Sequence, residues 1–208
     1  GVALDPDGNA LASMGVAAGD ANGDGLMDLF ITTFFGESKT LYSLRDDGFF
    51  EDTTRQMNLR ESGFWMLGFG SQFADLNNDG WQDLIVTNGH VDQRTRRGDP
   101  DRMRPQVLMN VGGKRFEEVP AEKLGSFFRG QYLGRGLAVL DWNGDGRMDI
   151  AVSHLHAPVA LVTNHTTSVY SKMLSLRLIG RNQRRPVGSS VSVKVGTIRQ
   201  SGFVYAGR

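Results

Sequence analysis

The stretch DWNGDGRMDI, residues 141–150, sets Asp141, Asn143, Asp145 and Asp149 at positions 1, 3, 5 and 9 of a loop with Gly146 at position 6. Alternate oxygen-bearing side chains around a tight glycine turn converge on one point, which suits a hard cation. The same pattern stands at 20–28 (DANGDGLMD) and at 75–83 (DLNNDGWQD). All three copies share Asp, Asn, Asp, Gly and Asp at positions 1, 3, 5, 6 and 9. Repetition at such spacing is the mark of a repeat architecture, so this loop bears on the fold as well as on the chemistry.

The flanks repeat too. Five residues before each first aspartate stands a glycine: Gly15, Gly70 and Gly136. After each last aspartate comes a short apolar run, LFITT, LIVTN or IAVSH. LYSLRDDGFFED (41–52) matches VLMNVGGKRFEE (107–118) at a constant offset of 66. The first two loops are closer together than the last two, and the difference falls in RTRRGDPDRMRP (94–105). That polar, proline-containing stretch reads as a surface loop inserted into the second repeat. Its five arginines form either a partner-binding patch or a plain solvated loop.

An EF-hand is the obvious comparison, and it fails twice. Position 12, where an EF-hand places a bidentate glutamate, is Ile31, Val86 and Val152. The flanks are short and β-branched, so each unit is strand–loop–strand rather than helix–loop–helix. Dockerin-type loops need a following helix, and thrombospondin-type repeats need cysteines; this chain has none. The ligand set expected is therefore Asp20, Asn22, Asp24 and Asp28; Asp75, Asn77, Asp79 and Asp83; and Asp141, Asn143, Asp145 and Asp149. Backbone carbonyls at position 7 (Leu26, Trp81, Arg147) would complete three sites. Three carboxylates with neutral oxygens suit Ca²⁺ better than Mg²⁺, which demands a tighter octahedron. The alternative is an Asx-rich hairpin without metal, since Asn-Gly and Asp-Gly are ordinary turn formers.

Each repeat carries about four strand-like segments, at 69–74, 83–88, 106–110 and 115–119 in the second copy. An all-β fold follows, with the repeats as blades of a β-propeller; three blades make only part of a ring that takes about 4–8. Phe49, Phe50, Phe116, Trp65 and Trp142 are assigned to blade packing rather than to a sugar-stacking platform. Phe69-Gly70, its counterparts Gly15 and Gly136, and the three D-x-N-x-D-G-x-x-D loops resemble the FG-GAP/VCBS repeat family, found also in integrin α-subunit heads. The likeness covers residues 1–166. Phrases such as ASMGVAAGD, DLIVTNGHV and FEDTT look like the bacterial relatives of cartilage acidic protein. Residues 167–208 are similar to the start of the ASPIC/UnbV domain that follows the blades in those relatives. There Leu174, Leu176 and Leu178, then Val191, Val193 and Val195, read as two period-2 strands.

Composition bounds the function. The chain has 208 residues and no cysteine, which removes disulfides and thiolate metal sites. No run of about 18 apolar residues exists, so no membrane-spanning helix is expected. Up to residue 149 there are 15 Lys/Arg against 23 Asp/Glu; from 150 on there are 8 against none. The basic end lacks clustered stacking aromatics, so nucleic acid is not expected as a partner. Gly1 in place of Met, and Arg208 inside an apparent strand, suggest a fragment with further blades upstream. His90 and His156 both stand seven residues past a loop, and His154 and His156 would share a strand face. No G-x-S-x-G, P-loop or H-E-x-x-H motif appears. The reading is a non-catalytic, calcium-stabilised, exported module (extracellular, periplasmic or at the cell surface) that binds a protein or glycan. Its alternatives are a propeller-type polysaccharide lyase or hydrolase using His90 or His156, and a self-assembly module in which the basic end docks on the acidic repeats of another copy.

Overall fold

Each of the three loops joins the first two strands of a small antiparallel sheet. The structure is a computed structural model describing residues 4, 8–91, 98, 100–167, 174, 176–196 and 198–205. The first sheet runs in the order β1 (Ser13–Gly19), β2 (Asp28–Thr33), β3 (Thr40–Leu44), β4 (Phe50–Asp52). The second repeats it as β5 (Gly68–Ala74), β6 (Asp83–Asn88), β7 (Gln106–Asn110), β8 (Phe116–Glu118). A helical turn, α1 (Ser126–Arg129), precedes the third sheet, β9 (Gly134–Leu140), β10 (Asp149–His154), β11 (Ala160–Val162). A separate hairpin follows, β12 (Ser190–Val195) with β13 (Ile198–Phe203). The described residues thus form an all-β fold of four small sheets.

Register closes every loop at the same point: Gly19 pairs with Asp28, Ala74 with Asp83, and Leu140 with Asp149. The first strands β1, β5 and β9 lie side by side, β1 against β5 and β5 against β9. Gly15 and Gly70, five residues before the first two loops, mark that approach. A Cβ on Gly15 would lie 2.0 Å from the Phe69 carbonyl oxygen, and one on Gly70 would lie 2.7 Å from that of Arg135. Such distances leave no room for any side chain, so the close packing of neighbouring first strands selects glycine. Thr32 then clamps the contact, its hydroxyl accepting from the Gly15 N–H at 2.8 Å and donating to the Phe69 carbonyl at 2.8 Å.

The core lies between the sheets. β6 is buried along its whole length and alternates its faces. Leu84 and Val86 join Phe30, Leu41, Phe73, Leu108 and Phe116 on the side of the first repeat. Ile85 joins Val107, Phe128, Ile150 and Val152 on the side of the third. Each such side chain, fully buried, stabilises by about 1.5–3 kcal/mol before conformational entropy is counted. Lys39 is also inside, 1% exposed, with its ammonium donating to the carbonyls of Gly63 (3.1 Å) and Met66 (3.3 Å). Burial pushes its pKa down to about 7.

Several expectations are corrected. Of the aromatics assigned to packing, Phe116 is in the core and Phe50 is half-buried, but Phe49, Trp65 and Trp142 are 73%, 67% and 51% exposed. All three stand in turns or connections rather than on inward strand positions. Trp65 packs edge-on against Phe64 instead, with ring centroids 4.9 Å apart. Leu174, Leu176 and Leu178 lie in no strand and are exposed; β12 takes β13 as its partner in an unbroken register. In the 94–105 insertion, Arg94, Arg96 and Arg97 lie outside the described residues. Arg104 there pairs with Glu118 at 2.6 Å. Among the described residues, no helix is long and apolar enough to cross a membrane.

Candidate metal-binding loops

The three loops are built alike. Asp20 accepts the N–H groups of Gly23 (2.7 Å) and Gly25 (2.9 Å), one on each carboxylate oxygen. Asn22 accepts from the Asp24 N–H at 3.0 Å, and Asp24 from the Leu26 N–H at 2.8 Å. In the second loop Asp75 takes the N–H groups of Asp79 and Gly80, and Asp79 that of Trp81. In the third, Asp141 takes those of Asp145 and Gly146, and Asp145 that of Arg147. The path needs two left-handed residues per loop. Position 6 supplies Gly25, Gly80 and Gly146 at φ +90°, +95° and +83°; position 4 supplies Gly23, Asn78 and Gly144. This backbone demand explains the invariance of glycine at position 6.

Position 9 differs from the other three. Asp28 accepts from the N–H of Ala21 (2.9 Å) and of Leu44 (3.0 Å). Asp83 accepts from Leu76 (3.0 Å) and Asn110 (2.8 Å), and Asp149 from Trp142 (3.2 Å) and Asn164 (2.7 Å). All three are fully buried. Each therefore ties position 2 of its own loop to the far end of the third strand, or to the residue in that place. A recurring aspartate at position 9 has this scaffolding reason beside any metal.

The electrostatics separate the loops. Burial, with further repulsion from Asp24 and Asp20, pushes the Asp28 carboxyl up to about 7. Burial, with Asp79 and Asp75 adding to it, does the same to Asp83. Asp20 and Asp75 are raised as well, again chiefly by burial. In the third loop Asp145 is held low by the Arg147 N–H, the Asn143 side chain and the Arg147 guanidinium. The first two loops thus gather negative charge that lacks a compensating cation within the loop.

The donors present fit Ca²⁺ by chemistry: hard oxygens, two or more carboxylates per loop, and lone pairs left over after each N–H bond. Their present aim is at backbone amides. Accordingly, no three His, Cys, Asp or Glu side chains form a closed metal cluster among the described residues. Of the position-7 residues, Leu26 and Trp81 are neutral, and the Trp81 ring covers Gly23 of the neighbouring loop. Arg147 carries a charge into its own loop.

Two residues that matter here escape motif reading. Asn110 donates from its side chain to the carbonyls of Ala21 (2.8 Å) and Gln82 (3.1 Å), bridging the first loop to the second. Asn164 donates to Leu76 (2.8 Å) and Met148 (3.3 Å), bridging the second to the third. The first repeat has Leu44 at this place, in the 66-residue offset already noted. The hairpin β12–β13 also reaches the loops: Arg199, Gln200 and Ser201 line a cleft of about 150 Å³ with Asp20 and Asp75. Tyr205 donates its hydroxyl to the Ala18 carbonyl at 2.9 Å.

His154 and His156 do not share a strand face. His154 ends β10 with its ring against Tyr132 and Phe127, and its Nδ1 lies 3.0 Å from the Pro158 carbonyl. His156 sits in the following turn at φ +57°, off the strand face. His90 is buried edge-on against Phe34. Arg135 reaches the His90 carbonyl at 2.8 Å while its guanidinium covers the Phe69 ring at 4.0 Å, so it serves as a clamp between sheets.

The model of the FG-GAP-like repeat matches residues 20–86 and again 75–152, taking in all three loops. The chain belongs to the FG-GAP-like repeat family. Of its Phe69-Gly70 step, at the contact of β5 with its neighbours, only the glycine recurs in the other two repeats, as Gly15 and Gly136. Among solved structures the chain is similar to the exotype rhamnogalacturonan lyase YesX, at 14% identity and a TM-score of 0.36. That match covers 73% of this chain and 30% of the lyase, so the chain spans less than a third of that protein's length.

Proposed function

We propose that these FG-GAP-like repeats are calcium-stabilised blades of a β-propeller in an exported protein, and that the module is non-catalytic and binds a protein or glycan partner. The observation that carries the calcium reading is the carboxylate group of the first two loops, Asp20, Asp24 and Asp28 in one and Asp75, Asp79 and Asp83 in the other, with no basic side chain within either loop. Calcium would supply the missing charge there. The oxygens of positions 1, 3 and 5 would hold it, and position 9 would fix the loop on its strand. Sheets set side by side through their first strands support a propeller. Such loops fill where calcium is near millimolar, which favours a site outside the cytoplasm. The hairpin β12–β13 belongs, on this reading, to an ASPIC/UnbV-type module seated over the loops.

Thermal melting in calcium and in EDTA tests the proposal. Saturation at a hundredfold excess over Kd adds about 2.7 kcal/mol per site. The expected result is a calcium-dependent rise of several degrees in Tm that magnesium does not reproduce. Identical melting in calcium and EDTA would remove the basis of the proposal.

A further inference from the structure

The third loop differs from the others in one respect that the repeat pattern hides. Its position-7 side chain is Arg147, where the first two loops carry Leu26 and Trp81. The Arg147 guanidinium donates from Nη2 to Asp145 Oδ2 at 2.5 Å and from Nε to the Asn164 carbonyl at 2.8 Å. Among the described residues this is the only ion pair formed within a loop; the others join Arg45–Glu51, Arg104–Glu118 and Arg115–Glu117. Asn164 is the residue that bridges the third loop to the second and whose N–H holds Asp149. The arginine is therefore fixed at both ends, one on the loop's carboxylate and one on the bridge.

We propose that Arg147 is a built-in counter-ion that takes over part of the charge compensation calcium would provide, leaving the third loop the weakest calcium site of the three and the least dependent on the ion for its shape. This rests on the calcium reading of the first two loops. A fixed unit charge beside a divalent ion repels it even through water. At separations of about 5 Å such repulsion lowers affinity on the order of tenfold.

Terbium, which takes calcium's oxygen ligands and is sensitised by nearby indole, reads the loops separately. Trp142 is position 2 of the third loop. Trp81 is position 7 of the second and lies against Gly23 of the first. Trp65 precedes β5 and so stands at the strand ends away from the loops. In the full chain, Trp81-sensitised emission (W142F background) is expected at lower terbium than Trp142-sensitised emission (W81F background). R147L should move the Trp142 midpoint down on the order of tenfold, R147K should leave it near the parent value, and neither should move the Trp81 midpoint. If R147L does not fold, R147Q removes the charge while keeping a donor toward Asn164. An unmoved Trp142 midpoint in the charge-free variant, or an R147K that behaves like R147L, overturns the inference while the calcium reading stands. Absence of emission from both tryptophans overturns the calcium reading itself, and this inference with it.

Discussion

Asp79 and Asp83 stand four residues apart in one motif and have different tasks. Asp79, at position 5, accepts a loop N–H and the Asn77 side chain from a partly exposed place. Asp83, at position 9, is fully buried and satisfies two backbone groups, the N–H of Leu76 and of Asn110. Spacing alone grouped both as ligands, because the pattern reports which residues recur and not which hydrogen bonds they make. The structure predicts that D83A strands two buried N–H groups, a loss of about 3 kcal/mol with or without calcium. D79A should cost less than about 1 kcal/mol in EDTA and remove most of the calcium-dependent gain at the second loop. Urea denaturation of both variants, in calcium and in EDTA, checks the contrast; equal calcium dependence would show that position 9 acts mainly as a ligand.

Strands were the most legible elements. The β-branched runs after each loop and the segments at 106–110 predicted β6 and β7 to the residue. Period-2 alternation encodes strand and face, and the loop fixes the first turn, so register follows. What alternation does not encode is a partner. Leu174, Leu176 and Leu178 have the pattern but lie in no strand among the described residues, while Arg199, Gln200 and Ser201, without an apolar alternation, lie on β13. The exposed tryptophans mislead for a related reason, since hydrophobicity does not say whether a residue falls on a strand or in the turn beside it. Asn110 and Asn164 escaped because an asparagine at a strand end, or just past one, looks like an ordinary turn residue. Yet Asn110 makes two side-chain bonds, one across the boundary to Ala21 of the first repeat and one to Gln82 of its own. N110A should lower stability by about 1–2 kcal/mol, the net worth of two such bonds. Its amides in the first loop, Ala21 to Gly25, should exchange faster than those of the third loop. Unchanged exchange at Ala21 would show that the bridge is incidental.

Among the described residues the repeats stack in series, β1 against β5 and β5 against β9, with the two faces of β6 packed toward the first and third repeats. Stability in such an arrangement is close to a sum of repeat terms and interface terms, so the two interfaces can be loosened one at a time. The alternation of β6 makes this concrete. Leu84 belongs to the cluster shared with the first repeat, and Ile85, the next residue, to the cluster shared with the third. Leu→Ala and Ile→Ala at fully buried sites each cost about 2–5 kcal/mol. Two adjacent substitutions of similar size should therefore release opposite ends of the molecule. In hydrogen exchange, L84A is expected to lose protection first in β1 and β2 while β9 and β10 keep theirs. I85A should do the reverse, because its cavity opens onto Ile150 and Val152. If both variants loosen both ends together, the three repeats open as one cooperative unit and the serial picture is wrong.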